Sequence, residues 1–443
     1  MTDAHAPSGV AAFDHGQSNR PDSRAAAGFG KYDLADTDRA VDFGIARDSK
    51  LPPLIHFLAM TTRRLSPLLG SWFVALSGGG ISSLATRLPR LRRLAGAVAR
   101  RELTPPKPIR LQIETTDVCN LRCVHCRREK FDDMDTLTMP LESFAQIIAD
   151  IEPFYVNLAG FGEPFIDRWI FARLAMLHRR GIRTSLPTNG TYIRRDKRED
   201  LAAALPDILQ LSIDGATKES FEAIRKGSDF GKIVGNYRAI CALRAEGKAR
   251  PNTIIRVLCA LQRGNLHDYR AMYGLIKSLK GIDSFGLVRA SFGGDHGSQM
   301  PTRGEVLLLH RELDAAIASA ETEDERDFYR QWHSVSAGWL DKKSSHCGAG
   351  ASRAPCAIPW YSAYIDAKGR VYPCCHLTGT RHMMGTLNKD GSGFDEIWRG
   401  ARYRAFRSDL LSDRPNLEGC RACPRNDSRV MSLLEKMRIL LPH

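Results

Sequence analysis

Three cysteines stand close together in one short segment, TTDVCNLRCVHCRREK, which spans residues 115–130. They are Cys119, Cys123 and Cys126, so their spacing is C-x3-C-x2-C. Cysteine thiolates bind zinc and iron, and a closed tetrahedral site takes four ligands. Three thiolates leave one coordination position open, which is typical of a metal site that also binds a substrate or a cofactor. A zinc site completed by His125 is the alternative interpretation.

A second group of cysteines lies far along the chain, in the pattern C-x12-G-x4-C followed by a C-x2-C pair. Four thiolates can close a metal site completely, around either a 4Fe-4S cluster or a structural zinc ion. Cys347 and Cys375 lie in the same region and could each replace one ligand. The cysteines that fit the pattern are Cys356, Cys374, Cys420 and Cys423.

The first cysteine group follows directly on a predicted strand. From residue 109 onward short apolar runs alternate with helical patterns, which predicts repeated βα units and a parallel sheet. Six such units indicate an α/β fold built on a partial (β/α)6 barrel, open on one side, with its active site at the carboxyl ends of the strands. A hairpin with Gly369 in its turn is predicted within the second cysteine region. The predicted strands cover residues 109–115, 154–160, 182–188, 207–214, 253–261 and 284–292.

Other polar residues also lie at predicted strand ends. The segment GFGEP follows the second strand; its glycines permit close backbone approach, and Glu163 is an acceptor for an ammonium group. Thr188 begins a TNG segment after the third strand. In the fourth strand Gln210, Ser212 and Asp214 share one face. That face should line a cavity, because helices cover the other one.

The first cysteine group, its position after strand one and its flanking residues TTDVCNLRCVHC resemble the radical S-adenosylmethionine (SAM) superfamily. The resemblance implies a 4Fe-4S cluster held by three cysteines, with SAM bound at the open iron. It also implies that the GFGEP and TNG segments and strand four contact SAM. With an arginine from strand five, the expected SAM contacts are Gly162, Glu163, Pro164, Thr188, Ser212, Asp214 and Arg256.

The spacing of two residues in the fifth predicted strand determines that their side chains point to different faces. Arg256 and Cys259 should point to opposite faces of a regular strand. An arginine can bind the SAM carboxylate through two hydrogen bonds, whereas a cysteine facing the cavity could return a hydrogen atom to a substrate radical. The two roles exclude each other on a regular strand. A lone cysteine in an apolar strand is usually a core residue, so the role of Cys259 as hydrogen donor is the weaker interpretation.

The C-terminal cysteine group, with its CAIPW, VYPCC and MGTLN segments, resembles the SPASM-type extension of the same superfamily. It departs from the full pattern, because no cysteine follows Cys423. The resemblance therefore implies one auxiliary 4Fe-4S cluster, as in the shortened twitch variant, bound by the four cysteines of the pattern. A structural zinc ion is the alternative occupant.

The reaction implied by the resemblance is reductive cleavage of SAM to a 5′-deoxyadenosyl radical, which abstracts a hydrogen atom from the substrate. We expect dehydrogenation or epimerisation of a small polyol, sugar or cyclitol, because one auxiliary cluster is typical of such enzymes. The alternative is a maturase that modifies a ribosomally synthesised precursor peptide. A non-catalytic iron-sulfur or zinc scaffold is a third interpretation. The expected protein partner of the enzyme is a reductant such as flavodoxin or ferredoxin.

The distribution of charge and cysteine restricts partners and compartment. Of the net charge of +14, much lies in residues 51–110, which hold ten Lys and Arg against one Glu. This argues against nucleic-acid binding by the body of the protein. Eleven cysteines and no secretory signal predict a cytoplasmic protein with thiolate ligands. Apolar turns mixed with arginine clusters in residues 51–104 predict helices that pack on the main domain or lie on the inner membrane surface.

These patterns divide the chain into six segments. The expected segments are a disordered tail (1–50), a basic apolar helical extension (51–104), a radical SAM core (105–300), a helical connector (301–345), an auxiliary-cluster domain (346–430) and a C-terminal tail (431–443).

Overall fold

The computed structural model describes most of the chain between residues 80 and 412. The described ranges are 80–130, 137–193, 198–290, 299–340, 355–388 and 392–412, together with residue 420. Several predictions fall outside them: the tail at 1–50, residues 51–79 of the helical extension, the tail at 431–443, and the cysteines Cys347 and Cys423.

Two sheets are present in the described residues. Nine strands form one sheet in the order β11-β10-β9-β1-β3-β4-β5-β7-β8, and β2 and β6 form a separate pair. The strands are β1 (Arg110–Ile113), β2 (Arg122–Cys123), β3 (Tyr155–Asn157), β4 (Arg183–Thr188), β5 (Ile208–Ser212), β6 (Arg225–Lys226), β7 (Ile254–Leu261), β8 (Ser284–Arg289), β9 (Ser362–Ile365), β10 (Arg370–Tyr372) and β11 (Gly385–Thr386).

The six predicted βα strands are confirmed as β1, β3, β4, β5, β7 and β8, which pair parallel in that order. Parallel neighbours need a crossover connection, and helices supply it between these strands. Within the described residues β8 has one strand neighbour, and the second edge of β1 pairs with β9. The predicted α/β fold with a partial barrel is therefore confirmed.

Helices precede, connect and follow the strands in the described residues. They are α1 (Gly80–Ala99), α2 (Leu141–Ile151), α3 (Ile170–Arg179), α4 (Arg198–Ala203), α5 (Lys218–Ile224), α6 (Phe230–Ala245), α7 (Tyr269–Ser278), α8 (Arg303–Ser319), α9 (Glu323–Ala337), α10 (Ile358–Tyr361), α11 (Phe394–Arg399) and α12 (Ala401–Leu411).

Side chains alternate along β5 as its sequence predicts. Leu211 and Ile213 lie in the main hydrophobic core under the helices, whereas Gln210 and Ser212 are half-buried on the opposite face. A polar face on a sheet covered by helices on its other side lines the barrel interior. The strands therefore present polar groups inside the barrel and apolar groups outside it.

The predicted C-terminal hairpin is confirmed as β9 and β10, with Gly369 at φ +75° in its turn. Its place in the fold was not predicted. β9 pairs parallel with β1 along its whole length, from Ser362 opposite Arg110 to Ile365 opposite Ile113. The hairpin consequently extends the barrel sheet, and both cysteine groups are attached to one continuous sheet.

The helix α1 packs on the C-terminal region. An amphipathic helix at a membrane surface would turn its apolar face to lipid, but this face of α1 is covered by Trp360 and Leu410. For residues 87–99 the structure thus favours the first alternative, a helix packed on the protein. The cluster that contains this face, called here the second hydrophobic cluster, consists of Leu91, Leu94, Ala95, Val98, Ala99, Ile109, Phe154, Ala357, Trp360, Tyr361, Leu377, Phe406 and Leu410.

Among the helices that the structure describes, none is both long enough and apolar enough to cross a bilayer.

Candidate active site

The loop between β1 and α2 carries the first cysteine group. The short antiparallel pair of β2 and β6 holds this loop and places Cys123 directly opposite Arg225. The helix α5 ends at Ile224, and Gly227 turns at φ +88° directly after β6. A pair of two-residue strands has no detectable sequence period, so this support for the loop was missed.

The three thiols of this loop are half-buried and close enough to influence one another. Burial raises the pKa of Cys119, Cys123 and Cys126, that of Cys123 to about 12, while the Arg225 guanidinium opposes the shift at Cys123. The amide nitrogen Nδ2 of Asn189 lies 3.9 Å from the Cys119 sulfur. Three thiols beside a buried cation suit a site that must hold thiolates.

The thiols do not converge on one point. In the described part of the chain no three His, Cys, Asp or Glu side chains are placed to hold a single metal ion. A cubane cluster does not need such convergence, since each cysteine ligand binds a different iron. The donor set of the loop therefore fits an iron-sulfur cluster.

Asp214 forms a buried ion pair instead of facing the barrel interior. Its Oδ2 atom is 2.7 Å from Nη2 of Arg225, and its Oδ1 atom accepts a hydrogen bond of 2.7 Å from the main-chain nitrogen of Ala260. The structure places Asp214, an expected SAM contact, in this ion pair just after β5, which ends at Ser212. The carboxylate holds Arg225 behind the cysteine loop.

His125, which lies between two of the cysteines, is directed toward the same buried network. Its Nδ1 atom is 3.2 Å from the amide nitrogen of Gln262, and its Nε2 atom is 3.7 Å from Oδ2 of Asp214. His125, the fourth ligand of the zinc alternative, is thus directed toward Gln262 and Asp214.

The glycines of the GFGEP segment lie where no side chain fits. A Cβ atom on Gly160 would collide with the side chain of Glu114, and one on Gly162 with the main-chain oxygen of Thr116. The predicted close approach is real, but the neighbour is the segment that leads into the cysteine loop. Pro164 then starts a short 3-10 helix, Pro164–Ile166.

Glu163 and Thr188 join the GFGEP and TNG segments to each other. The Glu163 carboxylate accepts hydrogen bonds of 2.7 Å from Oγ1 of Thr188 and from the main-chain nitrogen of Asn189. Both side chains were expected to contact SAM directly, yet the structure shows them bonded to each other below the loop surface. Ser212 is half-buried at the end of β5, on the interior face.

Cys259 lies in the hydrophobic core, fully buried, on the same face of β7 as Ile255 and Val257. Its sulfur accepts a hydrogen bond of 3.6 Å from Nδ2 of Asn265. A hydrogen donor must reach a substrate in the barrel, and this thiol points away from it. The interpretation of Cys259 as hydrogen donor is corrected to a core residue, for which burial raises the pKa well above its usual range.

Arg256 is on the face of β7 opposite to that of Cys259, as predicted. It lies level with Gln210 and with Ser284, the first residue of β8. Its guanidinium packs against Gly286.

The second cysteine group gathers at one place. Cys356, Cys374 and Cys420 all pack against the second hydrophobic cluster, next to α1. Cys375 lies instead near Tyr364 on β9. Burial is the main cause that raises the pKa of Tyr364, and the charge of a Cys375 thiolate would raise it further. Three of the four expected ligands therefore pack against one cluster, and the fourth, Cys423, lies outside the described residues.

Sequence reasoning missed three residues around the first group, Asn189, Arg225 and Arg127. Asn189 belongs to the TNG segment, which had indicated only a polar loop. Arg225 is held by its ion pair with Asp214. Arg127 is held by hydrogen bonds to the carbonyls of Cys375 and His376, which lie far along the chain. No local pattern distinguishes these two from surface arginines.

Comparisons with known proteins agree with this geometry. The family model described as "Radical SAM superfamily" matches residues 113–254, and "Iron-sulfur cluster-binding domain" (SPASM) matches residues 356–424. Mycofactocin maturase MftC of Mycobacterium ulcerans is 31% identical over 329 residues, which cover 72% of this chain and 81% of that protein. PqqA peptide cyclase of Ruegeria pomeroyi is 26% identical over 339 residues, covering 73% and 82%.

A solved structure shares the fold. The crystal structure of Streptococcus suis SuiB bound to S-adenosylmethionine has a TM-score of 0.53 at 14% identity and covers 78% of this chain and 76% of that one. At this identity the likeness concerns the fold alone. Together with the family matches it identifies the chain as an enzyme of the radical SAM superfamily, whose core domain binds SAM and a 4Fe-4S cluster, with a C-terminal SPASM domain that binds auxiliary iron-sulfur clusters.

Proposed function

We propose that this enzyme is a maturase that modifies a ribosomally synthesised precursor peptide. The observation that carries the proposal is the identity of 31% with a mycofactocin maturase over 81% of that protein's length. The similarity to a PqqA peptide cyclase over 82% of its length supports the same substrate class. The interpretation as an enzyme of small polyols depended on the number of auxiliary clusters alone, and the relatives named here favour the peptide alternative.

We infer that each cysteine group binds one cluster. Cys119, Cys123 and Cys126 are the proposed ligands of the 4Fe-4S cluster with the open iron. The auxiliary 4Fe-4S cluster then has as its proposed ligands Cys356, Cys374, Cys420 and Cys423.

The residues around the first group have distinct structural tasks in this proposal. Arg225 and Asp214 hold the cysteine loop from behind as a buried ion pair. Glu163, bonded to Thr188 and Asn189, keeps two strand-end loops together at the mouth of the barrel. When bound, the cluster and SAM supply a carbon-centred radical that can abstract a hydrogen atom from an unactivated C–H bond.

The barrel interior offers the surface on which a peptide would lie. Gln210 and Ser212 are half-buried there, and amide and hydroxyl groups are suitable partners for peptide main-chain groups. The side of the barrel beyond β8 is the proposed entry for an extended chain. An electron donor such as flavodoxin or ferredoxin is the further protein that this chemistry needs.

The test follows the abstracted hydrogen atom. The reconstituted full-length enzyme is incubated with SAM, dithionite and a deuterated candidate precursor peptide, and 5′-deoxyadenosine is analysed by mass spectrometry. Deuterium in 5′-deoxyadenosine, together with a SAM-dependent change in peptide mass, is the expected result.

A panel of deuterated sugars and cyclitols serves as the comparison in the same assay. Deuterium taken from a polyol and not from the peptide would overturn the proposal and restore the first interpretation. Absence of any 5′-deoxyadenosine from the reduced, iron-loaded protein would instead indicate a scaffold.

A further inference from the structure

One side chain connects the loops that carry the two cysteine groups. Arg127 directly follows Cys126, and its guanidinium reaches the loop after β10. Nη2 donates a hydrogen bond of 3.1 Å to the main-chain oxygen of Cys375, and Nη1 donates one of 3.2 Å to that of His376. These two acceptors are the residues that directly follow Cys374.

The guanidinium also contacts the third loop of the site. It lies over the ring of Phe161, 5.8 Å from its centroid, within the GFGEP segment. The main-chain nitrogen of Phe161 in turn donates to the Glu114 carboxylate, which also accepts from the main-chain nitrogen of Ala367 in the C-terminal hairpin. Arg127 therefore sits where the cysteine loop, the GFGEP segment and the auxiliary domain meet.

The chemistry of the contact requires arginine. The planar guanidinium presents several donors in a fixed fork, so it can bond two successive carbonyls at once. A lysine at this position would keep the charge but could not reproduce both bonds with the same geometry.

The hairpin has a separate attachment to the barrel. β9 pairs with β1 from Ser362 to Ile365, which fixes the base of the hairpin through main-chain bonds. Arg127 binds a different part of the hairpin region, the loop after β10 that carries Cys374. Loss of Arg127 should therefore leave the sheet intact and free mainly this loop.

We propose that Arg127 is the positioning residue that fixes the auxiliary cluster relative to the SAM cluster, an inference that rests on the ligands given in the proposed function. The route from Cys126 to Cys374 through this side chain is covalent except for one hydrogen bond. A defined separation and orientation of the two clusters follows from it, and this property is measurable without any substrate.

The experiment compares R127M, R127K and R402M in the iron-loaded full chain reduced with dithionite. Arg402 is the matched control, since its Nη1 also donates to a main-chain oxygen, that of Met383 at 3.2 Å, but within the auxiliary domain. Pulsed electron paramagnetic resonance measures the magnetic interaction between the two reduced clusters, and iron analysis measures their content.

R127M is expected to keep its iron while the interaction between clusters becomes weaker and its distance distribution broader. R127K should show a smaller broadening, and R402M should match the parent protein. If R127M loses iron, the comparison is made on R127K.

Spectra identical to the parent in an iron-complete R127M or R127K would overturn the proposal. A parent protein with only one cluster would overturn it as well, through the ligand assignment. Because no peptide is present, these results are separate from the deuterium test of the substrate class.

Discussion

The two cysteine groups differ in how their surroundings are built. The first occupies one loop and is backed by polar and charged side chains, among them the buried pair of Arg225 and Asp214. The second is assembled from distant parts of the chain against an apolar cluster that includes Leu94 of α1 and Trp360. Charge near a metal site favours thiolate ligands and anionic groups, whereas an apolar shell excludes water. The contrast suits a site that binds SAM and a site that remains closed.

The largest expected effect is on iron content and SAM cleavage when one cysteine of either group is replaced. Cys123→Ala should abolish formation of 5′-deoxyadenosine and remove about four of about eight irons per chain. Cys374→Ala should also remove about four irons but leave SAM cleavage in place, because the open iron belongs to the other group. Iron analysis and chromatography of 5′-deoxyadenosine measure both effects.

Cys259→Ala is the matched control for these variants, since this cysteine lies in the core and away from both groups. It should keep all of its iron. SAM cleavage that persists in an iron-loaded Cys123→Ala protein would remove the distinction between the two sites.

The charged support of the first group can be broken by Arg225→Met. This change leaves the Asp214 carboxylate, which is 1% exposed, without its cation. Breaking a buried pair on one side costs about 3–5 kcal/mol of unfolding free energy. Urea unfolding of the iron-loaded protein measures it.

A surface pair gives the comparison for that loss. Arg399 and Asp395 are paired on α11 at 3.0 Å, and both are exposed. Arg399→Met should cost less than about 1 kcal/mol. Equal losses in the two arginine variants would mean that burial of the Asp214 pair has no energetic consequence.

The apolar support of the second group can be weakened by Leu94→Ala. Leu94 is fully buried in the second hydrophobic cluster, and replacing a buried leucine by alanine costs about 2–5 kcal/mol. Leu88→Ala on the same helix is the control, because Leu88 is 39% exposed. Chelator challenge should release auxiliary iron faster from Leu94→Ala, and loss of iron from the first group instead would contradict this assignment.

The smallest expected effect concerns Glu114, which lies between the two regions. Burial raises its pKa from 4.5 to about 7. Between pH 4.5 and about pH 7 the native state therefore binds more protons at Glu114 than the unfolded state does. The contribution of Glu114 to the free energy of unfolding consequently falls as pH rises through this range. Glu114→Gln should flatten the stability profile over this range.

Thermal unfolding at several pH values from 5 to 8, in parent and variant, measures that slope. Parallel profiles in the two proteins would show that Glu114 titrates normally. A replacement at exposed Glu219 should leave the slope unchanged.

Local periodicity was enough to predict the elements of the barrel. Each of the six strands lies inside its predicted range, because apolar residues at a regular spacing determine which face is buried. The pair of β2 and β6 and the pairing of β9 with β1 escaped prediction. Their partners are separated by about a hundred residues or more, and two-residue strands carry no period.

The sequence by itself determined the two cysteine groups, the parity of Arg256 and Cys259, and the resemblance to a superfamily. These depend on residue types at fixed spacing, which backbone geometry translates directly into structure. The tertiary structure alone decided that Asp214 and Glu163 are bonded within the protein and that Arg127 donates to the main-chain oxygens of Cys375 and His376. Such contacts form only when distant segments meet, so their energies depend on neighbours that no local pattern records.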